Sequence, residues 1–300
     1  MSESWKLSAF ASKPIIQAAL LTHEEIDDWD PEVVISGREI SEDRPNEWVL
    51  EAWYSAKPNA AQKRDIATLF DGKAPKFVLE KLAAQDWLTL SQQGVEPIRA
   101  GRFYVHTPDY PPNKDAVNFA IPASQAFGTG QHETTAGCLE MLDIMKRTGL
   151  VARSVADIGT GTGLLAFAAM HLWKGAFATA SDIDDVCAGV VADNAELNAI
   201  PLGADRGELT MVIADGMDDE LLQARGPYDL LIANILAGPL VELAPDFAAS
   251  VKPGGSVLLA GLLETQETRV RSAYSRAGFR LARRMVNGDW SILWLRKRRV

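Results

Sequence analysis

The apolar positions of this 300-residue chain fall into two regimes. Over residues 4–84 short apolar stretches switch between a two-residue and a 3.6-residue period. Trp5–Ala11 reads as a strand and Ile15–Ile26 as a helix. Val33–Ile40 and Trp48–Ser55 read as strands joined by a polar turn with Pro45. Asn59–Phe70 reads as a helix with Asn59 as its cap, and Lys76–Leu82 as a final strand. The order β-α-β-β-α-β predicts a ferredoxin-like α+β domain over residues 1–84. Residues 85–94 are polar and predict a linker, and Val95–Thr107 predicts a hairpin turning near Ala100-Gly101.

The second regime occupies residues 95–300. A helix running to Met145 carries an apolar face of Cys138, Leu139, Leu142 and Met145, with Thr134 or Thr135 as its cap. From residue 151 strands and helices alternate regularly. The strands are Ser154–Ile158, Ala176–Ile183, Leu209–Ala214, Asp229–Ile235 and Ser256–Leu262. Helices are expected at about 163–173, 185–198, 218–224, 237–250 and 264–277. Such alternation predicts a mostly parallel sheet with helices on both faces. Arg280–Val286 and Trp290–Leu295 flank Asn287-Gly288, a two-residue hairpin signal, so the sheet is expected to close on an antiparallel hairpin.

Composition narrows the setting. Hydrophobic residues make up 47% and charged residues 23%, as in ordinary globular proteins. No apolar run approaches the ~18 residues needed to span a bilayer, so no membrane association is expected. The first residues, Met-Ser-Glu-Ser-Trp-Lys, lack an apolar signal core, which predicts a cytoplasmic protein. Cys138 and Cys187 lie in apolar helical patterns and read as reduced core residues. His23, His106, His132 and His171 are scattered, so no metal site is expected. The formal net charge of −10 argues against direct nucleic-acid binding. Eleven acids lie between Glu24 and Glu51, either a solvated face or a docking surface for a cationic protein. The closing Arg296–Arg299 cluster reads as a solvated tail.

The chemistry concentrates where the second regime begins. Residues 155–163, Val-Ala-Asp-Ile-Gly-Thr-Gly-Thr-Gly, end a strand in three alternate glycines, and a helical pattern follows at once. This is the strand, tight turn and helix start that hold nucleotides in α/β proteins. Read from Gly161, the segment passes the dinucleotide fingerprint G-x-G-x-x-A. Read from Asp157, it gives D-x-G-x-G-x-G, in which a carboxylate points toward a ligand carrying positive charge or donors. Asp182 ends the next strand, placed to accept both hydroxyls of a ribose or to cap the following helix. Asp215-Gly216 follows the third strand, where Asp215 would accept an exocyclic amine or merely form a turn. Asn234 ends the fourth strand; its neutral carbonyl can orient an amine nucleophile, and the alternative is a helix cap.

Four segments together resemble a known family. They are Phe127-Gly-Thr-Gly-Gln-His-Glu-Thr-Thr135, the Asp157-Ile-Gly-Thr-Gly-Thr-Gly163 turn, Asp182-Ile-Asp184 and Asn234-Ile-Leu-Ala-Gly-Pro239. They are similar to the bacterial methyltransferases of large-subunit ribosomal protein L11. The resemblance is strong over residues 95–295; over 1–84 only the order and length of elements agree. Gln131 and Glu133 depart from the usual loop, where Thr and Pro are common. The resemblance implies a seven-stranded methyltransferase sheet, a Rossmann-like class, with the smaller N-terminal domain recognising substrate. It implies S-adenosylmethionine as cofactor, bound by Thr135, Gly159, Asp182 and Asn234, with Asn234 also catalytic; the reading of the turn and strand ends adds Asp157, Gly161, Gly163 and Asp215 to the expected cofactor site. The implied reaction is methylation of amino groups of ribosomal protein L11, by a monomer. Methylation of another amine and an L11-binding factor without turnover are the alternatives. Hydride transfer fits Asp157 and the terminal hairpin poorly.

Overall fold

The structure, a computed structural model, describes residues 4–24, 26, 29–30, 33–40, 44, 46–82, 96–122 and 131–299. The expected linker at 85–94, the Phe127–Gly130 part of the loop and the acids Glu25, Asp27, Asp28, Glu32, Glu42 and Asp43 lie outside the described residues. The described residues divide into two compact units, one within 4–82 and one within 96–299.

The first unit contains β1 (Ser4–Ser12), α1 (Lys13–Glu24), β2 (Val34–Glu39), β3 (Glu47–Tyr54), α2 (Ala60–Thr68) and β4 (Phe77–Leu82). Its strands are antiparallel in the order β2-β3-β1-β4. Leu7 stands opposite Ala52, and Ala9 opposite Leu50, so period-two alternation lays four apolar side chains on one face. Ile16 and Ala19 of α1 and Ile66 of α2 join them in one core. The other face carries an ion-pair cluster: Lys6 Nζ lies 3.3 Å from both Glu51 and Glu80. Helix α1 starts two residues before the expected Ile15, because Pro14 is tolerated in a first turn, where its missing N–H has no partner to lose. Asn59 caps α2 as expected, accepting from the N–H groups of Ala61 (2.7 Å) and Gln62 (3.0 Å). Gln62 reciprocates by accepting from the Asn59 N–H (3.0 Å), a complete capping box.

The second unit opens with β5 (Ile98–Ala100) and β6 (Phe103–His106), a hairpin turning through Gly101 at φ +56°. A strand absent from the sequence expectation, β7 (Val117–Ala120), pairs parallel to β6. Its four residues are too few to display a period. Then follow α3 (Gln131–Arg147), β8 (Ser154–Ile158), α4 (Leu164–Leu172), β9 (Phe177–Asp182), α5 (Val186–Leu197), β10 (Leu209–Ile213), α6 (Glu220–Arg225) and β11 (Tyr228–Asn234). The chain closes with α7 (Ala237–Glu242), α8 (Ala244–Ser250), β12 (Val251–Leu263), α9 (Glu267–Arg276), β13 (Phe279–Asn287) and β14 (Trp290–Lys297). The large sheet has seven strands in the order β10-β9-β8-β11-β12-β14-β13, parallel up to β12, with β14 antiparallel to both its neighbours.

Three local expectations change. Helix α3 is already formed at Gln131, the first described residue after the loop, so Thr134 and Thr135 lie inside it and neither is its cap. The expected helix over 237–250 is two helices with Leu243 between them. Pro245 has no N–H for the carbonyl four residues earlier and its ring crowds that carbonyl, which ends a continuous helix. The terminal hairpin turns on Gly288 and Asp289, with Asn287 paired to Trp290. Gly288 at φ +58° takes the left-handed conformation the tight turn needs.

Both faces of the large sheet are buried. Val155, Leu230 and Ile232 face one core with α4; Ala156, Ile158, Leu231 and Ala233 face the other, with α7 and α9. A polar cluster fixes the outer strands. The buried Glu267 carboxylate accepts from Ser291 Oγ (2.7 Å), Arg284 Nε (2.6 Å) and Arg271 Nη1 (3.0 Å). Burial alone would raise its pKa; these three donors outweigh burial and hold it below the usual carboxylate range. A depressed folded pKa gives stability that is present above the unfolded value of ~4.3 and lost as pH falls through the folded one. Glu267→Ala should therefore lower the unfolding free energy by about 2 kcal/mol at neutral pH, since the arginine partners are partly solvated. Urea denaturation should show that deficit shrinking once the pH drops below about 4.

Candidate active site

Parallel pairing sets the carboxyl ends of the strands level. Ile158 pairs with Ser181 and follows Asp157; Asp182 pairs with Ile213; Ala233 pairs with Ile158; Asn234 pairs with Ala260. Strands β8, β9 and β10 run outward in one direction, and β11 and β12 in the other. The order reverses between β8 and β11, where open α/β sheets form their ligand crevice. Gly159 leaves β8 and Ile235 leaves β11 on either side of that switch point.

Gly159, Gly161 and Gly163 have φ of +69°, +55° and +83°, a left-handed backbone that other residues rarely adopt. A Cβ on Gly159 would lie 2.2 Å from Ile235 Cγ2, and one on Gly163 would lie 2.8 Å from Phe167 Cζ. A Cβ on Gly161 would meet nothing within 4 Å. Two glycines thus serve packing within the protein, and the middle one presents open backbone. Thr160 N–H donates to Ser181 O (2.9 Å), and Asn194 Nδ2 donates to Thr162 O (2.9 Å), tying the turn to β9 and α5.

Asp157 is buried, and Oδ2 is spent on the protein itself: it accepts from Thr160 Oγ1 (2.7 Å) and from Ala166 N–H (3.0 Å). Gly163, the first residue of the helix boundary, has no side chain with which to cap α4, so Asp157 takes that part from the preceding strand. Oδ1 has no partner among the described residues. Burial, together with the nearby Asp182 charge, outweighs the Thr160 and Ala166 hydrogen bonds and raises the carboxyl pKa to about 6.

Asp182 is half-buried at the end of β9, where Oδ2 accepts from Gly161 N–H (2.8 Å) and Oδ1 from Asp184 N–H (3.2 Å). Each oxygen keeps a further lone pair for a ligand. The helix that follows is supported by Asp184, which accepts from Val186 N–H (3.0 Å), so capping falls to Asp184 and not to Asp182. Asp215 is exposed just past β10, whose Ala214 N–H bonds to Asp182 O (2.9 Å). Asn234 is half-buried, and its amide makes no hydrogen bond among the described residues. Leu236 occupies the cap position of α7, which removes the capping explanation for Asn234. Thr135 is buried in α3, one turn before Cys138 on the same helical face. Burial, and secondarily the charge of Asp157, push the Cys138 thiol pKa up. Cys187 departs from the core expectation: it is half-buried next to Asp182, and burial and the Asp182 charge raise its pKa to about 11. The register thus gathers Asp157, the three glycines, Asp182, Asp215 and Asn234 along one edge.

The sequence reading missed what supports these residues. Gly261 in β12 has φ +84°, and its Cβ would lie 2.2 Å from the backbone oxygen of Ile235. Ile235 is therefore seated between Gly159 and Gly261, which fixes the exit from Asn234. A lone glycine in an apolar strand is the signal that marks such an approach. Apolar surface was also missed: Ile183 and Leu236 are 68% and 53% exposed beside Asp182 and Asn234.

Strand order, switch point and glycine turn place this unit among the α/β methyltransferases. Comparison with known proteins is more specific. A model of the family described as ribosomal protein L11 methyltransferase (PrmA) matches residues 9–298. A ribosomal protein L11 methyltransferase of Agrobacterium fabrum is 37% identical over 275 residues, covering 89% of this chain and 90% of its own. Another, from Caulobacter sp., is 40% identical over 225 residues, covering 74% and 75%. The crystal structure of a ribosomal protein L11 methylase from Lactobacillus delbrueckii subsp. bulgaricus matches with a TM-score of 0.54 at 30% identity, over 68% of this chain and 98% of that one. The chain belongs to the ribosomal protein L11 methyltransferase family.

Three variants test the supports. Gly261→Ala should cost at least ~2 kcal/mol in urea denaturation, because strain in a left-handed backbone adds to a collision with Ile235 O. Gly161→Ala meets open space and should cost only about 1 kcal/mol. The raised pKa of Asp157 gives a folded state favoured by protonation, so its contribution is full below ~4 and is lost as pH rises through about 6. Asp157→Asn should flatten that part of the stability profile.

Proposed function

We propose that this chain transfers methyl groups from S-adenosylmethionine to amino groups of ribosomal protein L11, on lysine side chains and the N-terminal α-amine. The observation that carries the reading is the level edge at the switch point, in a chain of this family. The residues fit the cofactor. A ribose diol needs acceptors, which Asp182 retains. A close-lying ligand needs bare backbone, which Gly161 leaves open. The unpartnered Oδ1 of Asp157 calls for one more donor. Asp215 is exposed to receive an exocyclic amine, and Ile183 offers apolar surface to a ring. Gly159 and Gly163 hold the turn in shape, and Thr135 adds a hydroxyl from α3.

The cofactor supplies a methyl group already activated on a sulfonium. What remains for the protein is to bind, align and keep out water. Asn234 is the catalytic residue of this reading, its amide carbonyl accepting from the acceptor amine and setting its direction. A neutral amide orients the amine without trapping it as an ion. The amine must first lose a proton, at a cost of roughly 4–5 kcal/mol for a lysine at pH 7 and about 1 kcal/mol for an α-amine. Desolvation against the strand edge lowers that cost by disfavouring the ammonium.

Residues 1–84 form a ferredoxin-like domain that recognises the ribosomal protein, 85–94 a linker, and 95–300 the methyl-transfer domain closed by its hairpin. The acids between Glu24 and Glu51 suit a lysine-rich partner. The reaction belongs where ribosomal proteins are made, in the cytoplasm.

Mass spectrometry of L11 incubated with enzyme and S-adenosylmethionine should show added methyl groups on amines; unmodified L11 would refute the assignment. Asp182→Ala should weaken S-adenosylmethionine binding tens-fold by calorimetry, about 2–3 kcal/mol for charge-assisted bonds. Asn234→Ala should fold normally, keep most cofactor affinity and lose methyl transfer. Activity within a few-fold of wild type would remove Asn234 from the centre.

A further inference from the structure

The acidic balance of the chain conceals a strongly basic end. Residues 267–299 hold ten of the 30 lysines and arginines, against two acids, Glu267 and Asp289. They fold into α9, β13 and β14, and between these lies a cleft of about 500 Å³ at the outer edge of the large sheet. Arg271 of α9, Arg280 of β13 and Arg298, just beyond β14, converge on it. Arg280 and Arg298 are exposed and form no ion pair among the described residues. Thr268 and Ser275 add hydroxyls, and Tyr274 lines the cleft as a fully buried side chain whose hydroxyl has no partner among the described residues. Burial keeps that phenol protonated at any ordinary pH, so it stands as a donor.

Charge on an edge strand commonly blocks pairing with another sheet. That purpose explains Arg280 and Arg283 on β13. It does not explain Arg298 arriving from beyond β14, or a buried hydroxyl kept without a partner; Arg271 of α9 is already paired with Glu267 (3.0 Å) and brings to the cleft only the donors left over. Arginine forks and hydroxyl donors with no carboxylate among the cleft-lining residues match phosphate oxygens. The cations also run beyond the cleft. Arg269 and Arg276 are exposed on the α9 row that contains Ser272, at spacings of three and four. A single phosphate would leave them idle; a chain of phosphates would use them.

We propose that the cleft between α9, β13 and the end of β14 binds the phosphodiester backbone of RNA, at a site separate from the methyl-transfer edge. This reverses the expectation from net charge, because affinity for a polyanion follows local clustering and not the sum over the chain. Recognition is of backbone, without base reading, since Phe279 is buried and offers no stacking face.

The test is fluorescence anisotropy of the full chain with a labelled oligouridylate of about 20 nucleotides, over ~50–200 mM KCl. The wild type should bind. The double variant Arg280→Ala with Arg298→Ala should bind at least about tenfold more weakly, with the slope of log affinity against log salt reduced by ~1.4. Its methyl transfer to free L11 and its thermal midpoint should match the wild type. Four results would overturn the proposal. They are no RNA binding by the wild type at ~50 mM KCl, unchanged RNA binding in the double variant, equal affinity for polyglutamate of the same charge, which marks an acidic-peptide surface, and displacement by low-millimolar inorganic phosphate, which marks a single-phosphate socket. Methyl transfer falling in step with RNA affinity would overturn the separation of the two sites.

Discussion

The Asp157 carboxylate holds together the place where strand, turn and helix meet. Helix α4 begins after a left-handed glycine and has no local side chain to satisfy its first N–H groups. Asp157 reaches back from β8 to accept from Ala166, and the same oxygen takes the Thr160 hydroxyl. One oxygen thus fixes the helix start and the curvature of the turn together. Without it a buried helix end would hold unpaired donors, which is among the costlier defects a core can carry. The other oxygen has no partner within the described protein, and burial drives the carboxyl toward its neutral form. Such a carboxyl, half satisfied at a crevice, is the kind of local discord that sites retain and cores eliminate.

Register does the rest of the assembly. Parallel strands start and stop together, so residues far apart in sequence arrive at one edge once pairing is set. Asp182, Ile213 and Asn234 need no long-range contacts of their own to be gathered. They need only the apolar alternation that buries Ala156 on one face and Val155 on the other. The core and the site therefore share one constraint, and a slip in pairing would misplace both.

That link explains what was legible in the sequence. The alternation from residue 151 gave each parallel strand, and the three glycines with Asp157 marked the turn, because both signals are local. Asn59 was recognisable as a cap because its partner, Gln62, is three residues away. Strand β7 carried too few residues to show a period, and Pro245 split a helix that apolar spacing alone made continuous. The one-residue offset of the terminal turn came from preferring Asn-Gly over Gly-Asp as its centre. The supports of the site were hidden for a different reason. Thr160 bonding to Asp157 and Gly261 meeting Ile235 are relations between elements, and spacing does not encode them.

Ile235 separates the two glycines that enclose it into different kinds. Against Gly159 it presents Cγ2, the end of a side chain. Against Gly261 it presents its own carbonyl oxygen and peptide. The collision in the first can be relieved in a lineage, since trimming the isoleucine to a smaller residue makes room opposite, although the left-handed backbone of Gly159 still favours glycine. The second cannot be relieved by any replacement at 235, because every amino acid brings the same peptide. Among descendants of this sequence, Gly159 can shed its steric restriction through its neighbour across the crevice and keep only that of its left-handed backbone, whereas Gly261 is bound to a partner that never mutates.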